Sequence, residues 1–152
     1  ILAKSKVVIL NREEASYLTK TDYEKSEEIF KKMDKLVAGI VAVTDGEKGV
    51  MASDGFNIYQ APAFRNVRVI DETGAGDAFG SGFVSGLIHK KEKCEKGLCR
   101  PDNIKYAVRL GMANAAAVIE KIGAKEGILT KSEFEKSKRW KKLKIIIKKL
   151  TK

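Results

Sequence analysis

Residues 71–83, DETGAGDAFGSGF, constrain this chain more than any other stretch, because they set a glycine turn and an acidic residue at the start of a helix. Upstream, residues 66–70 (NVRVI) alternate apolar and polar side chains, the two-residue period of a short strand. Downstream the side chains are small and apolar with helical spacing, and a helix is expected from Asp77 to about Lys90. Gly74 and Gly76 let the backbone bend between the two elements, and the first N–H groups of a helix have no intrahelical acceptor. A phosphate fits such a turn. A carboxylate repels that guest unless it has a chemical task, such as taking the proton of an attacking hydroxyl, so Asp77 points to phosphoryl transfer. Taken alone, GAGD reads equally well as a tight strand-to-helix turn with Asp77 as the helix N-cap.

The longer pattern resolves this ambiguity. Asp71, Thr73, Gly74, Ala75, Gly76, Asp77 and Phe79 together resemble the second signature of the ribokinase-like (PfkB) carbohydrate kinases. The resemblance implies an α/β fold, a three-layer Rossmann-like sheet with flanking helices, of which this chain is the C-terminal half only. It implies that Asp77 is the base that activates the substrate hydroxyl. It also implies that the backbone amides of Gly74, Ala75 and Gly76 form the anion hole for the transferred phosphoryl group.

Three further stretches carry the same resemblance. Asn11 and Glu14 follow the strand-like residues 7–10 (VVIL) and are similar to the family's NxxE motif, which implies contacts to phosphate oxygens and hydrated magnesium. The same residues read as an ordinary capped helix with acids in its first turn. Residues 39–50 (GIVAVTDGEKGV) combine an apolar run, a buried strand, with Thr44, Gly46 and Gly49, and resemble the family's VTxGxxG nucleotide loop. A hairpin joining residues 40–44 with 49–53 is compatible with that role. No GxxxxGK followed by Ser or Thr occurs, so ATP must be held without a Walker-type loop. By the same resemblance Asp71 and Thr73, with the loop 122–127 (IGAKEG), border a monovalent cation such as potassium, although the glycines of that loop fit a helix C-terminal turn equally well. The preceding helix, about residues 101–121, looks like the one bordering adenine, with Asn114 as the polar contact; a core-facing helix with one exposed amide is the plainer reading.

Within the helix that begins near Asp77, Phe79, Phe83 and Leu87 recur every four residues among glycines, serines and alanine. Each interior glycine costs about 0.8–1 kcal/mol relative to alanine, so close packing must compensate. The pattern predicts a helix pressed against a sheet, holding the turn rigid.

The chain is 152 residues long with 43% hydrophobic content, enough for one core. Members of the resembled family are longer. The resemblance implies a small-molecule sugar or nucleoside substrate, ATP and magnesium as cofactors, a missing N-terminal half of the same protein, and a homodimer formed through the lid which that half supplies. A C-terminal fragment of a cytoplasmic enzyme is therefore expected, with residues 1–135 as its nucleotide-binding and catalytic part. Cys94 and Cys99 lie in a charged loop with His89 nearby, match no zinc spacing, and are expected as free thiols. Residues 136–152 hold nine of the thirty basic residues and no acid. Trp140, Leu143, Ile147 and Leu150 fall on one helical face, which predicts a basic amphipathic C-terminal helix. Its expected place is against the domain, with its lysines in solvent, rather than on nucleic acid or a membrane.

Overall fold

Alternation of apolar side chains along the strands builds the molecule. The computed structural model describes residues 1–89 and 99–150. Strand β1 (Val7–Asn11) leads into α1 (Arg12–Thr19) and α2 (Ser26–Leu36), followed by β2 (Ile40–Thr44), β3 (Val50–Ser53) and β4 (Asn57–Ala61). Then come α3 (Ala75–Ile88), α4 (Pro101–Ile119), α5 (Lys131–Lys136), α6 (Lys138–Lys141) and β5 (Ile146–Lys149). The five strands form one sheet in the order β1-β2-β3-β4-β5; β1 and β2 are parallel and every other pair is antiparallel.

Because successive residues of a strand face opposite sides, Ile40, Ala42, Val50, Ala52, Tyr59 and Ala61 meet Phe79, Phe83, Leu87, Ile104 and Val108 of α3 and α4. Val41, Val43 and Ile58 point the other way, onto Ala15, Ile29, Phe30, Met33 and Val37. Helix α2 presents Ile29, Phe30 and Met33 on one stripe, which fits a helix lying on a sheet. The result is the three-layer α/β arrangement expected, with β2 buried on both sides.

The glycines of α3 are spent differently from the expectation. A Cβ built on Gly86 would lie 2.5 Å from Ala107 Cα, and one on Gly82 would lie 2.9 Å from the Leu110 carbonyl oxygen. Both contacts are on α4, so these glycines let two helices approach; Phe79 also lies against Gly111 of α4, and Phe79, Phe83 and Leu87 join the core that the two helices share with the sheet. The helix also begins at Ala75 with Gly74 as its N-cap, so Asp77 is the third helical residue and not the cap.

Two expected elements differ. Residues 66–70 form no strand: Val69 and Ile70 are exposed, and the Ile70 and Asp71 N–H groups donate to the Ile119 carbonyl at the end of α4 (2.7 and 3.2 Å). The alternation has no strand to pair with, and α4 takes its backbone instead. Residues 136–152 are not one amphipathic helix either. Trp140 and Leu143 do dock on the domain, with Trp140 edge-on to Phe64 at 5.0 Å, but Ile146–Lys149 pairs with β4 and Leu150 N–H bonds the Phe56 carbonyl. Residues 145–147, three β-branched isoleucines, suit the pleated edge that β4 offers, and the flanking lysines keep that edge in water.

Arg139 ties this tail to α4 with two hydrogen bonds to Glu120, 2.8 and 2.9 Å. The guanidinium holds the Glu120 carboxyl below the usual glutamate range. A lowered carboxylate contributes stability that is complete above its unfolded pKa and is lost as pH falls through the folded value. Glu120→Gln should therefore lower the melting temperature at neutral pH, with the difference from the unmodified protein closing on acidification. A gap that stays constant across an acid series of thermal melts would contradict this.

Cys94 lies outside the described residues. Cys99 is buried against the α3–α4 core and is not a free thiol, contrary to expectation. Its place under the core, rather than in the charged loop water, is what the sequence did not reveal. His89 stacks on Tyr106 at 5.0 Å, and no group of three metal-binding side chains occurs among the described residues.

Candidate active site

At the head of α3 the backbone turns through Gly74, whose φ of 82° lies in the left-handed region that favours glycine. The turn could not accept a side chain there, since a Cβ would lie 2.6 Å from the Ala124 carbonyl oxygen. The Ala75 N–H donates to the Glu72 carbonyl at 3.2 Å and that of Ala78 to Gly74 at 2.8 Å. The N–H groups of Gly76 and Asp77 have no acceptor among the described residues, and both residues are exposed. Asp77 has no side-chain partner among the described residues. Space beside Gly76 is open: a Cβ there would meet nothing within 4 Å. Two unpaired donors and one unpaired carboxylate thus share the first turn of a fourteen-residue helix. Of the three amides expected to form the hole, that of Ala75 is already used, while those of Gly74 and Gly76 have no acceptor among the described residues.

Asp71 braces this turn from below. One carboxylate oxygen accepts the Thr73 N–H (2.9 Å) and the other the Gly123 N–H (3.0 Å). The Thr73 hydroxyl, followed by the Gly123 and Thr73 N–H groups, holds its carboxyl below the usual aspartate range. The structure therefore brings Asp71, Thr73 and the 122–127 loop together, as the sequence suggested for a cation. Both Asp71 oxygens already serve as backbone anchors.

The second region lies at the carboxyl ends of the parallel pair β1 and β2, where Asn11 and Thr44 are register partners. Loops diverging from such strand ends make a natural crevice. An open cleft of about 670 Å³ is lined there by Asn11, Arg12, Tyr17, Tyr23, Thr44 and Gly46, among others. Asn11 and Glu14 form a capping box: the Asn11 side chain accepts the Glu14 N–H, and Glu14 accepts that of Asn11, each at 2.8 Å. Among the described residues the box leaves one Glu14 oxygen and the Asn11 amide group unused, and both residues are exposed. Gly46 opens to the cleft, whereas Gly49 is buried, with a Cβ position only 2.1 Å from the Ala61 carbonyl oxygen. Gly49 therefore permits the close approach of the end of β4.

Asn114 is placed differently from either reading. It is 4% exposed, its carbonyl oxygen accepts the Leu129 N–H (3.1 Å), and its nitrogen lies 2.7 Å from where a Gly82 Cβ would stand. It is an interior tie between α4 and the chain that follows, because the closeness of α3 walls it off from solvent.

One feature had no signal in the sequence. Arg12 donates to the Tyr23 carbonyl from Nε (2.8 Å) and Nη2 (2.6 Å), and to Asp45 Oδ2 from Nη1 (2.9 Å). The Tyr23 hydroxyl donates to Asp45 Oδ1 at 2.5 Å, which raises the phenol above its ordinary pKa.

The sequence profile of the pfkB family carbohydrate kinases matches residues 1–131. The chain belongs to that family. The chain is 34% identical over 128 residues to an uncharacterised sugar kinase of Archaeoglobus fulgidus, covering 84% of the chain and 45% of that protein. It is 32% identical over 126 residues to a cytidine kinase of Thermococcus kodakarensis, covering 81% and 40% respectively. Among solved structures, a probable sugar kinase of Rhizobium etli superposes with a TM-score of 0.63 at 33% identity, covering 80% of this chain and 33% of that one. The chain thus spans less than half the length of these relatives. No described helix is long and apolar enough to cross a membrane.

Proposed function

We propose that the protein carrying this chain transfers the γ-phosphoryl group of ATP to a hydroxyl of a sugar, with residues 1–135 as the nucleotide-binding and catalytic part. The observation that supports this best is the α3 turn, where the Gly76 and Asp77 N–H groups and the Asp77 carboxylate, all without a partner among the described residues, sit together. Asp77 accepts the proton of the acceptor hydroxyl as its oxygen bonds to phosphorus and the bond from phosphorus to the ADP oxygen breaks. The two amides stabilise charge on the moving phosphoryl oxygens, aided by the positive end of the α3 dipole. Asp71 keeps the turn in shape through Thr73 and Gly123.

Thr44 and Gly46 line the nucleotide crevice. The unused Glu14 oxygen and the Asn11 amide suit hydrated magnesium and a phosphate oxygen, and magnesium bound with ATP would supply neutralising charge. By the family resemblance, Asp71, Thr73 and the 122–127 loop are the residues that would border a monovalent cation such as potassium. A nucleoside is the second acceptor class, supported by the similarity to a cytidine kinase.

The test is ATP-dependent phosphorylation of a panel of sugars and nucleosides by the whole protein. Turnover on a sugar supports the first reading and turnover on nucleosides alone replaces it with the second. ATP binding without transfer to any acceptor would leave a nucleotide-binding module.

A further inference from the structure

Thr44 and Gly46, the residues placed along the nucleotide, flank a carboxylate. Asp45 in that loop would repel a polyphosphate if it were bare. It is not bare: Arg12 and the Tyr23 hydroxyl each take one of its oxygens, and the side chains of Arg12 and Asp45 are only 13% and 15% exposed. The Arg12 guanidinium also lies 4.7 Å from the Tyr23 ring centroid, with Lys48 Nζ at 5.4 Å from the same ring. Arg12 directly follows Asn11, the register partner of Thr44, so the contact spans the strand ends where the cleft opens.

We infer that Arg12, Tyr23 and Asp45 form a clasp that holds the Thr44–Gly46 loop against the start of α1 and masks its carboxylate, so that the cleft accepts the phosphates of ATP. The three are positioning residues, and the inference rests on the nucleotide site proposed above. A clasp that served only folding would leave the nucleotide affinity of the folded variants unchanged. In a masking clasp Arg12→Met unmasks Asp45, whereas Arg12→Met/Asp45→Asn removes the carboxylate as well.

Calorimetric titration of the whole protein with magnesium ATP reads this directly, beside the KM for the acceptor. Arg12→Met is expected to weaken nucleotide binding about tenfold, as loss of a charge-assisted bond would. The double variant should return to within about threefold, and the gap between the two should widen at low salt, where screening is weak. Acceptor KM should move less than twofold. Nucleotide affinity equal to the unmodified protein in Arg12→Met, or equally weak binding in the single and double variants, overturns the clasp while leaving the kinase reading intact. If the unmodified protein binds nucleotide but phosphorylates nothing, the kinase reading falls and the same affinities still judge the clasp. No nucleotide binding by the unmodified protein overturns both. Should Arg12→Met fail to fold, Tyr23→Phe keeps the ring and loses only the hydroxyl; it must weaken binding about threefold, and unchanged affinity refutes the clasp.

Discussion

Asp77→Asn is expected to lower kcat for phosphoryl transfer about 10²- to 10⁴-fold, the range a positioned general base contributes. Asparagine keeps the shape and can still accept a hydrogen bond, but it cannot take the proton of the acceptor hydroxyl. Asp77 has no side-chain partner among the described residues and stands exposed, so the melting temperature should not change. Nucleotide affinity should hold or rise, because the substitution removes a negative charge facing the phosphates while both backbone N–H donors of the turn remain. This combination separates a lost base from a damaged fold. A variant that keeps kcat within tenfold of the parent would show that Asp77 is not the base.

The second large effect concerns the α3–α4 contact. Replacing an interior helical glycine gains about 0.8–1 kcal/mol of helix propensity when the new residue is alanine. At Gly86 that gain is outweighed, because the added atom would stand 2.5 Å from Ala107 Cα, a backbone atom that cannot swing away. Gly86→Val, with a branched side chain at the same place, should cost about 1–3 kcal/mol and lower the melting temperature by several degrees. Gly80→Ala is the internal control. Its Cβ would meet only Ile9 Cδ1 at 3.6 Å, an ordinary contact, so the propensity term wins and the protein should become slightly more stable. Denaturant unfolding of the pair decides the matter; equal shifts in the same direction would mean that the glycines do not serve the helix contact.

What the sequence made legible was local chemistry. The strand before Asn11 and the hairpin after Thr44 each depend on neighbours a few residues away and stand where expected, and the GAGD glycines bend the chain into a helix that starts two residues earlier than expected, at Ala75. Patterns were misleading where a distant partner decided the outcome. Residues 66–70 alternate like a strand, but only a neighbouring strand could make them one, and the carbonyl at Ile119 claims their backbone. Trp140, Leu143, Ile147 and Leu150 match a helical period, yet the open side of β4 draws Ile146–Lys149 into the sheet. Helical spacing told that α3 had a thin face, but the sheet expected against it is replaced at Gly82 and Gly86 by α4. Nothing in residues 12, 23 and 45 announces that they touch, since their contact arises only when the ends of β1 and β2 lie side by side.

Strand β4 is joined to its two neighbours by very different lengths of chain. Residues 54–56 connect it to β3, and there Asp54 Oδ1 accepts the N–H groups of Phe56 and Asn57. Residues 62–145 separate it from β5. Bringing the ends of the longer segment together costs about 3 kcal/mol more loop-closure entropy than a tight turn, a penalty that grows only with the logarithm of length. One side of β4 can zip on the microsecond scale of a hairpin, while the other must wait until both long helices have condensed. The sheet is therefore expected to carry a time order across a single strand, with the β3–β4 hairpin formed before the register of β5 is set.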